Sequence, residues 1–269
     1  MDKNKNPKVL KLTMGKDRAI IDPHDEYVYE MKTGVSPRHD YPKNCIICFQ
    51  PEVIELARKK TGFKKIETLI DSDVFEFTDN DREIGIIRFG VGAPYSSLLI
   101  ERLIARGFEN FFVVGTAGSL LGSAKPGHTL LVNKAICGDG VSRHYKEGTD
   151  EESGYSYPDE KLTECLKKSL TDMGISFSEG TTWTTDAGYR ETVEKVKGAI
   201  ELGAVSVDME ASAILSICEF RKKRAAYVFS LSDSFTEDWE WNPHFHLDEI
   251  RIGLKTGVSA ILETIKSLD

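Results

Sequence analysis

Two short acidic stretches hold the residues best suited to chemistry. The first runs Ala204-Val205-Ser206-Val207-Asp208-Met209-Glu210-Ala211-Ser212-Ala213-Ile214-Leu215, an apolar β-branched run ending in two carboxylates that flank a methionine. A helical pattern begins at once, because Ala211, Ile214, Leu215 and Cys218 fall at i, i+3, i+4 and i+7 on one stripe. Glu210 therefore sits at a strand-to-helix junction, the edge of an α/β sheet where ligands bind. An acid at a helix start is also favoured by the macrodipole alone, so the neighbouring segments must decide. The second stretch is Ser232-Asp233-Ser234, which follows a strand predicted over 224–231. There Asp233 is either a helix cap or a general acid.

Two glycine-rich segments precede these. Gly90-Val91-Gly92-Ala93-Pro94-Tyr95-Ser96-Ser97 follows a predicted strand and opens a helix expected over 96–106. Amides at such a turn attract an anion or sugar hydroxyls. Gly115-Thr116-Ala117-Gly118 ends the apolar run 111–114, read as a buried parallel strand. Its glycines are expected to turn the chain sharply and let it approach a ligand, with the Thr116 hydroxyl at hand. Neither segment has the GxGxxG spacing of a dinucleotide site. A third loop, Thr184-Thr185-Asp186-Ala187-Gly188-Tyr189-Arg190-Glu191, follows a strand containing Trp183. Trp183 and Tyr189 offer flat faces on which a base can stack, and Arg190 a fixed cation fork.

The elements that must position these residues alternate along the chain as in an α/β protein. Strands are expected over 44–49, 74–78, 83–89, 111–114, 129–136 and 224–231, with the last of these closing the sheet. Helices are expected from Pro51, over 160–173 and over 248–267. Residues 1–43 are polar and broken by four prolines, and read as an arm with at most a short helix. Residues 44–269 read as one catalytic domain, with a mobile surface excursion over 146–158.

Composition narrows the class. Hydrophobic residues make up 40% and charged residues 29%, an ordinary globular mixture. A net charge of -8 argues against nonspecific nucleic-acid binding, which needs a basic surface. No apolar run approaches a membrane span, and the polar start Met-Asp-Lys-Asn-Lys-Asn does not resemble a signal peptide. A cytoplasmic protein is expected. Cys45 and Cys48 form a CxxC inside an apolar run without a second pair, so they read as buried thiols, and no metal site is expected.

With these pieces in order, residues 44–265 resemble the nucleoside phosphorylase superfamily. That superfamily includes bacterial purine nucleoside phosphorylases, uridine phosphorylases and methylthioadenosine/adenosylhomocysteine nucleosidases. The resemblance rests on Gly115-Thr116-Ala117-Gly118, on Val207-Asp208-Met209-Glu210-Ala211-Ser212-Ala213 and on Ser232-Asp233-Ser234. It implies a single α/β domain with a central mixed, partly barrel-like β-sheet flanked by helices. It also implies a homo-oligomer, either a dimer or a hexamer of dimers. It implies that Glu210 holds the ribose 2′- and 3′-hydroxyls, with Met209 against the sugar and Asp208 behind. Asp233 matches an aspartate that protonates or hydrogen-bonds a purine at N7, which favours a purine nucleoside over a pyrimidine one. Thr116, Gly115 and Gly92 fall on the phosphate and sugar side, and Gly118 on the base side.

Other positions depart from the pattern. Phe49-Gln50-Pro51-Glu52-Val53 stands where phosphorylases carry Gly-Asp-Pro-x-Arg, Val113 replaces a phosphate-binding arginine, and Gly188 replaces the base-stacking phenylalanine. An arginine lent by a neighbouring subunit would fall near Ser72 or Asp73. Tyr189 or Trp183 must then serve the base, and Arg88, Arg143 or Arg190 would have to rebuild a phosphate cradle. The expected reaction is N-glycosidic cleavage without a cofactor, phosphate being a possible co-substrate. Hydrolysis by water and binding without turnover are the alternatives.

Overall fold

The first strand, β1 (Asn44–Cys48), shows how the sheet is built. Cys45 and Ile47 enter one core while Ile46 and Cys48 enter another, all four fully buried. A strand covered on both faces needs no polar alternation, and hence reads as a continuous apolar run. The same alternation places the two thiols of the CxxC on opposite faces of the sheet. This is a computed structural model, and it describes residues 19–268 apart from 38, 123, 147–153 and 237.

Beside β1 lies the parallel strand β4 (Arg82–Arg88), continued by the antiparallel β3 (Ser72–Asp79) and β2 (Thr61–Leu69). The turn between β3 and β4 is Asn80-Asp81, both at positive φ, as the expected hairpin requires. On its other side β1 pairs with the parallel β5 (Asn110–Ser119). From β5 the sheet curls into a closed ring. β5 pairs with β10 (Arg224–Phe235), β10 with β6 (Thr129–Gly138), and β6 with β8 (Phe177–Thr185). β8 then pairs with β9 (Ala204–Asp208), whose end returns to β5 at Gly118 and Ser119. The protein is thus a mixed α/β fold around a five-stranded, barrel-like closure with further strands attached.

Helices cover both faces. α3 (Ala93–Ala105) and α6 (Ala211–Phe220) pack on one core through Leu99, Leu103, Ile214 and Leu215. α2 (Pro51–Ala57), α4 (Glu160–Asp172) and α7 (Asp248–Ser267) close the other through Val53, Leu166 and Leu254. α5 (Val193–Glu201) covers a third, smaller core against Trp183.

Several expectations need correction. Gly115-Thr116-Ala117-Gly118 is not a turn; β5 runs straight through it to Ser119. Its glycines make room for neighbours instead: a Cβ on Gly115 would meet the Phe49 ring at 3.0 Å, and one on Gly118 the Asp233 carboxylate at 3.3 Å. β10 is not the last strand, because β11 (Trp241–Pro243) pairs with its end. β2 went unread because its charged residues, Lys64, Lys65 and Glu67, hide the strand pattern. Of the expected excursion, 147–153 lie outside the described residues, whereas β7 (Tyr155–Ser156) pairs with β6 and buries Ser156 against Ser216 at 2.6 Å.

Residues 1–18 of the expected arm also lie outside the described residues. The remainder carries α1 (Pro23–Thr33), started by the Asp22 side chain on the His24 amide and stopped by Gly34 at φ 73°. α1 docks on α3 through charge. Arg106, almost fully buried, bonds Glu67 at 2.5 Å and Glu30 at 2.8 Å, and its guanidinium lies over the Tyr27 ring. Tyr41 and Ser36 also donate to Glu67, and these donors together hold its carboxyl below the usual range despite burial. Removing one member of a buried charge pair strands the other without solvent. Arg106→Ala should therefore cost about 3–5 kcal/mol of unfolding free energy, read by urea denaturation.

Candidate active site

The junction between β9 and α6 is organised by Asp208. Its Oδ1 accepts from Thr182 Oγ1 at 3.1 Å and Thr184 Oγ1 at 2.8 Å. Its Oδ2 accepts the amides of Glu210 at 2.8 Å and Ala211 at 2.6 Å. Strand alternation explains the pair of threonines, since Thr182 and Thr184 share one face of β8 while Trp183 takes the other. Thr184 Oγ1 also accepts the Ser212 amide at 2.9 Å. The unpaired amides at the start of α6 are thus met by side chains other than Glu210. Burial pushes Asp208 up to about 6, against the pull of its donors.

Relieved of capping, Glu210 turns to the far side of the junction, where its Oε1 accepts the Gly92 amide at 2.6 Å. Gly92 sits at φ 110°, in the left-handed region that favours glycine, and it opens α3. Burial and the neighbouring Asp208 push Glu210 up to about 8. The first glycine-rich turn therefore does offer an amide to this site, but to a carboxylate of the protein itself.

Asp208, Met209 and Glu210 form one wall of a cavity of about 290 Å³ at the carboxyl ends of the parallel strands, with Thr116, Gly118 and Asp233. Thr116 Oγ1 accepts from Gln50 Nε2 at 3.1 Å, while Gln50 Oε1 is buried without a partner among the described residues. Asp233 accepts from Ser232 Oγ at 2.7 Å and from Trp241 Nε1 at 2.9 Å. Phe49, Val91 and Phe245 supply the apolar lining. The remaining acid is Glu191, which burial and the Asp233 charge push up to about 7.

The structure does not bring every expected residue here. Trp183 is buried in the α5 core among Ile136, Val196 and Val207, so it serves packing and not a base. Tyr189 and Arg190 lie exposed on the short helical turn Gly188–Arg190 and do not line the cavity. Arg88, at the end of β4, and Arg143, on the turn Ser142–His144, are likewise exposed and outside the lining. Gly115 is occupied by the Phe49 contact beneath the cavity wall. Ser72 bonds the Tyr95 hydroxyl at 2.9 Å, and Asp73 pairs with Lys65 at 2.8 Å.

Val113 and Val53 are fully buried in separate cores, where an arginine would be an unpaired buried charge. The lining residues thus carry four carboxyls and no lysine or arginine among the described residues. Glu191, Gln50 and Phe245 are the site residues that sequence reasoning missed. For Glu191 the available signal was its place in the polar loop after β8, one residue past the Arg190 that was chosen.

Comparison with known proteins agrees with this architecture. Residues 43–264 match the family model described as the Phosphorylase superfamily, and the chain belongs to that family. A DeoD-type purine nucleoside phosphorylase of Bacillus cytotoxicus is 25% identical over 163 residues, 59% of this chain and 67% of that protein. A uridine phosphorylase of Salmonella typhimurium is 24% identical over 192 residues, 61% of this chain and 73% of its own. Among solved structures, a Toxoplasma gondii purine nucleoside phosphorylase in complex with immucillin-H superposes with a TM-score of 0.75 at 20% identity. It covers 84% of this chain and 91% of that one. A Vibrio fischeri uridine phosphorylase superposes at 0.71 and 19% identity, over 84% and 92% of the two chains. These structural likenesses establish the fold.

The raised pKa of Glu210 makes the stability of the fold depend on pH. Between the ordinary glutamate value of 4.5 and about 8, the native state keeps a proton that the unfolded chain has lost. Stability contributed by Glu210 is therefore greatest below that window and falls as pH rises through it. Glu210→Gln removes this dependence. Its melting temperature should exceed that of the wild type by more at about pH 8 than at about pH 5, measured by differential scanning calorimetry.

Proposed function

We propose that this chain cleaves the N-glycosidic bond of a nucleoside, a purine nucleoside by preference, and does so by phosphorolysis. The observation that carries the reading is Glu210, aimed into the cavity from the β9–α6 junction and fixed by the Gly92 amide at 2.6 Å. Ribose hydroxyl donors and the positive charge that develops on the sugar as the bond breaks both favour the ionised form of this otherwise protonated group, and a carboxylate so held can accept the two hydroxyls. Met209 lies against the sugar face. Gly118, lacking a side chain, lets the base approach the Asp233 end. Departure of the base requires a proton, and that end offers two carboxyl groups, Asp233 and Glu191. Asp233 is the one the motif resemblance favours for N7. Thr116 and Gln50, which also line the cavity, are the neutral polar groups left to meet the nucleophile. The reading carries with it a homo-oligomer, as the resemblance implies.

A second reading, hydrolysis by water, is favoured by one observation. No lysine or arginine lines the cavity among the described residues, and Val113 and Val53 belong to the core. Phosphate needs cationic or amide donors, whereas water is accommodated by neutral groups such as Gln50.

Base release from inosine, adenosine, guanosine and uridine, each with and without phosphate, separates the readings by chromatography. Phosphate-dependent release with ribose 1-phosphate is the expected outcome. Phosphate-independent release with free ribose would establish the hydrolase, and binding without release would leave a nucleoside-binding protein. Because Glu210 is placed to hold both hydroxyls, 2′,3′-dideoxyinosine should lose about 10⁴-fold in kcat/KM against inosine.

A further inference from the structure

The two carboxyl groups at the base end of the cavity stand in different settings. Both oxygens of Asp233 already accept hydrogen bonds from the protein, Oδ1 from Ser232 Oγ and Oδ2 from Trp241 Nε1. Each of its oxygens is therefore held by a protein donor. Glu191 differs in each respect. It follows the turn Gly188–Arg190, to which only its backbone amide bonds, and lines the same cavity half-buried; its carboxyl makes no hydrogen bond to a protein group among the described residues. The charged groups around it are Asp233 on β10, Asp208 and Glu210 at the β9–α6 junction, and the adjacent, exposed Arg190. Acids thus face it inside the cavity, and among the described residues the cavity lining offers no lysine or arginine. Burial and the Asp233 charge push its pKa up to about 7, so a proton is available there near neutrality.

We infer that Glu191 is a catalytic acid of this site, giving its proton to the departing base while Asp233 beside it accepts a hydrogen bond and aligns the ring. The inference rests on the glycosidic-cleavage reading and assigns to Glu191 the step that the sequence motif suggests for Asp233. In that step the bond between C1′ and N9 of a purine breaks, and its electron pair passes into the imidazole ring. N7 takes the proton of the Glu191 carboxyl, which is left as a carboxylate. A new bond forms between C1′ and an oxygen of phosphate or water. The proton lost by the attacking water, or by the remaining hydroxyl of the transferred phosphate, returns to Glu191 through solvent, so the cycle closes without an added reactant. The side chain is free for this work because it carries no structural hydrogen bond.

The test compares inosine with 7-methylinosine, whose base carries a fixed positive charge and departs without a proton. Both are assayed with the wild type, Glu191→Gln and Asp233→Asn. On inosine Glu191→Gln should lose about 10²–10⁴-fold in kcat with little change in KM. On 7-methylinosine most of that loss should vanish, which a merely structural role of Glu191 would not produce. Asp233→Asn should cost a similar factor on both nucleosides. Equal losses for Glu191→Gln on the two substrates would overturn the inference, as would a leaving-group-dependent loss in Asp233→Asn instead. Wild-type protein that releases base from neither nucleoside overturns the glycosidic-cleavage reading, and this inference with it. Wild-type cleavage left unimpaired by Glu191→Gln overturns the inference alone.

Discussion

The rest of the site depends on the burial of Asp208 between two threonine hydroxyls and two backbone amides. A buried carboxylate is tolerated only where donors surround it, and here those donors come from β8 and from the first turn of α6. The bonds therefore tie the barrel wall to the helix and set the angle at which the chain leaves β9. One consequence is local: with the amides of Glu210 and Ala211 already satisfied, the Glu210 side chain has no capping work. It is free to cross to the Gly92 amide and to present its remaining surface to the cavity. An acid at a helix start is ordinarily explained by the macrodipole. At this junction that explanation suits Asp208, while Glu210 is held by the Gly92 amide at the cavity wall.

Barrel closure supplies the second constraint. β5 pairs with β1, β10 and β9, so its continuation through Gly115 and Gly118 is required for the ring to close. A turn at this position would open the barrel and separate Thr116 from Asp233. The glycines act by leaving room, Gly115 for the Phe49 ring and Gly118 for the Asp233 carboxylate. Both neighbours line the cavity, so absent side chains in one strand shape the site as much as the side chains that face it.

The cavity concentrates acids where solvent is scarce. Asp208, Glu210 and Glu191 all have pKa values raised by burial, and the last two are raised further by a neighbouring carboxylate. Such a cluster weakens the folded state toward alkaline pH and is retained where function uses it. Different neighbours divide the labour: amide and hydroxyl donors on Asp208, one amide on Glu210, an indole and a hydroxyl on Asp233, and none on Glu191. In the proposed reaction, environment and not residue type separates the acceptor from the acid.

How much of this was legible in the chain differs from element to element. The helix expected over 248–267 and the hairpin at Asp79-Asn80-Asp81 are as the structure has them, because helical periodicity and turn chemistry are local. The junction at Glu210 was equally plain, since a β-branched run meets a helical stripe there. Cys45 and Cys48 were readable as strand thiols for the same reason. What the sequence by itself determined, then, was the order of strands and helices and the motif residues at their carboxyl ends. Tertiary structure alone decided which loop residues reach the cavity. It turned Trp183 into the α5 core, left Tyr189, Arg190, Arg88 and Arg143 in solvent, and brought in Glu191, Gln50 and Phe245. The physical reason is that a side chain's direction depends on strand pairing and barrel curvature, which join segments more than a hundred residues apart, such as Gly92 and Glu210. Periodicity records which residues are apolar and how they are spaced; it carries no record of what lies across the ring.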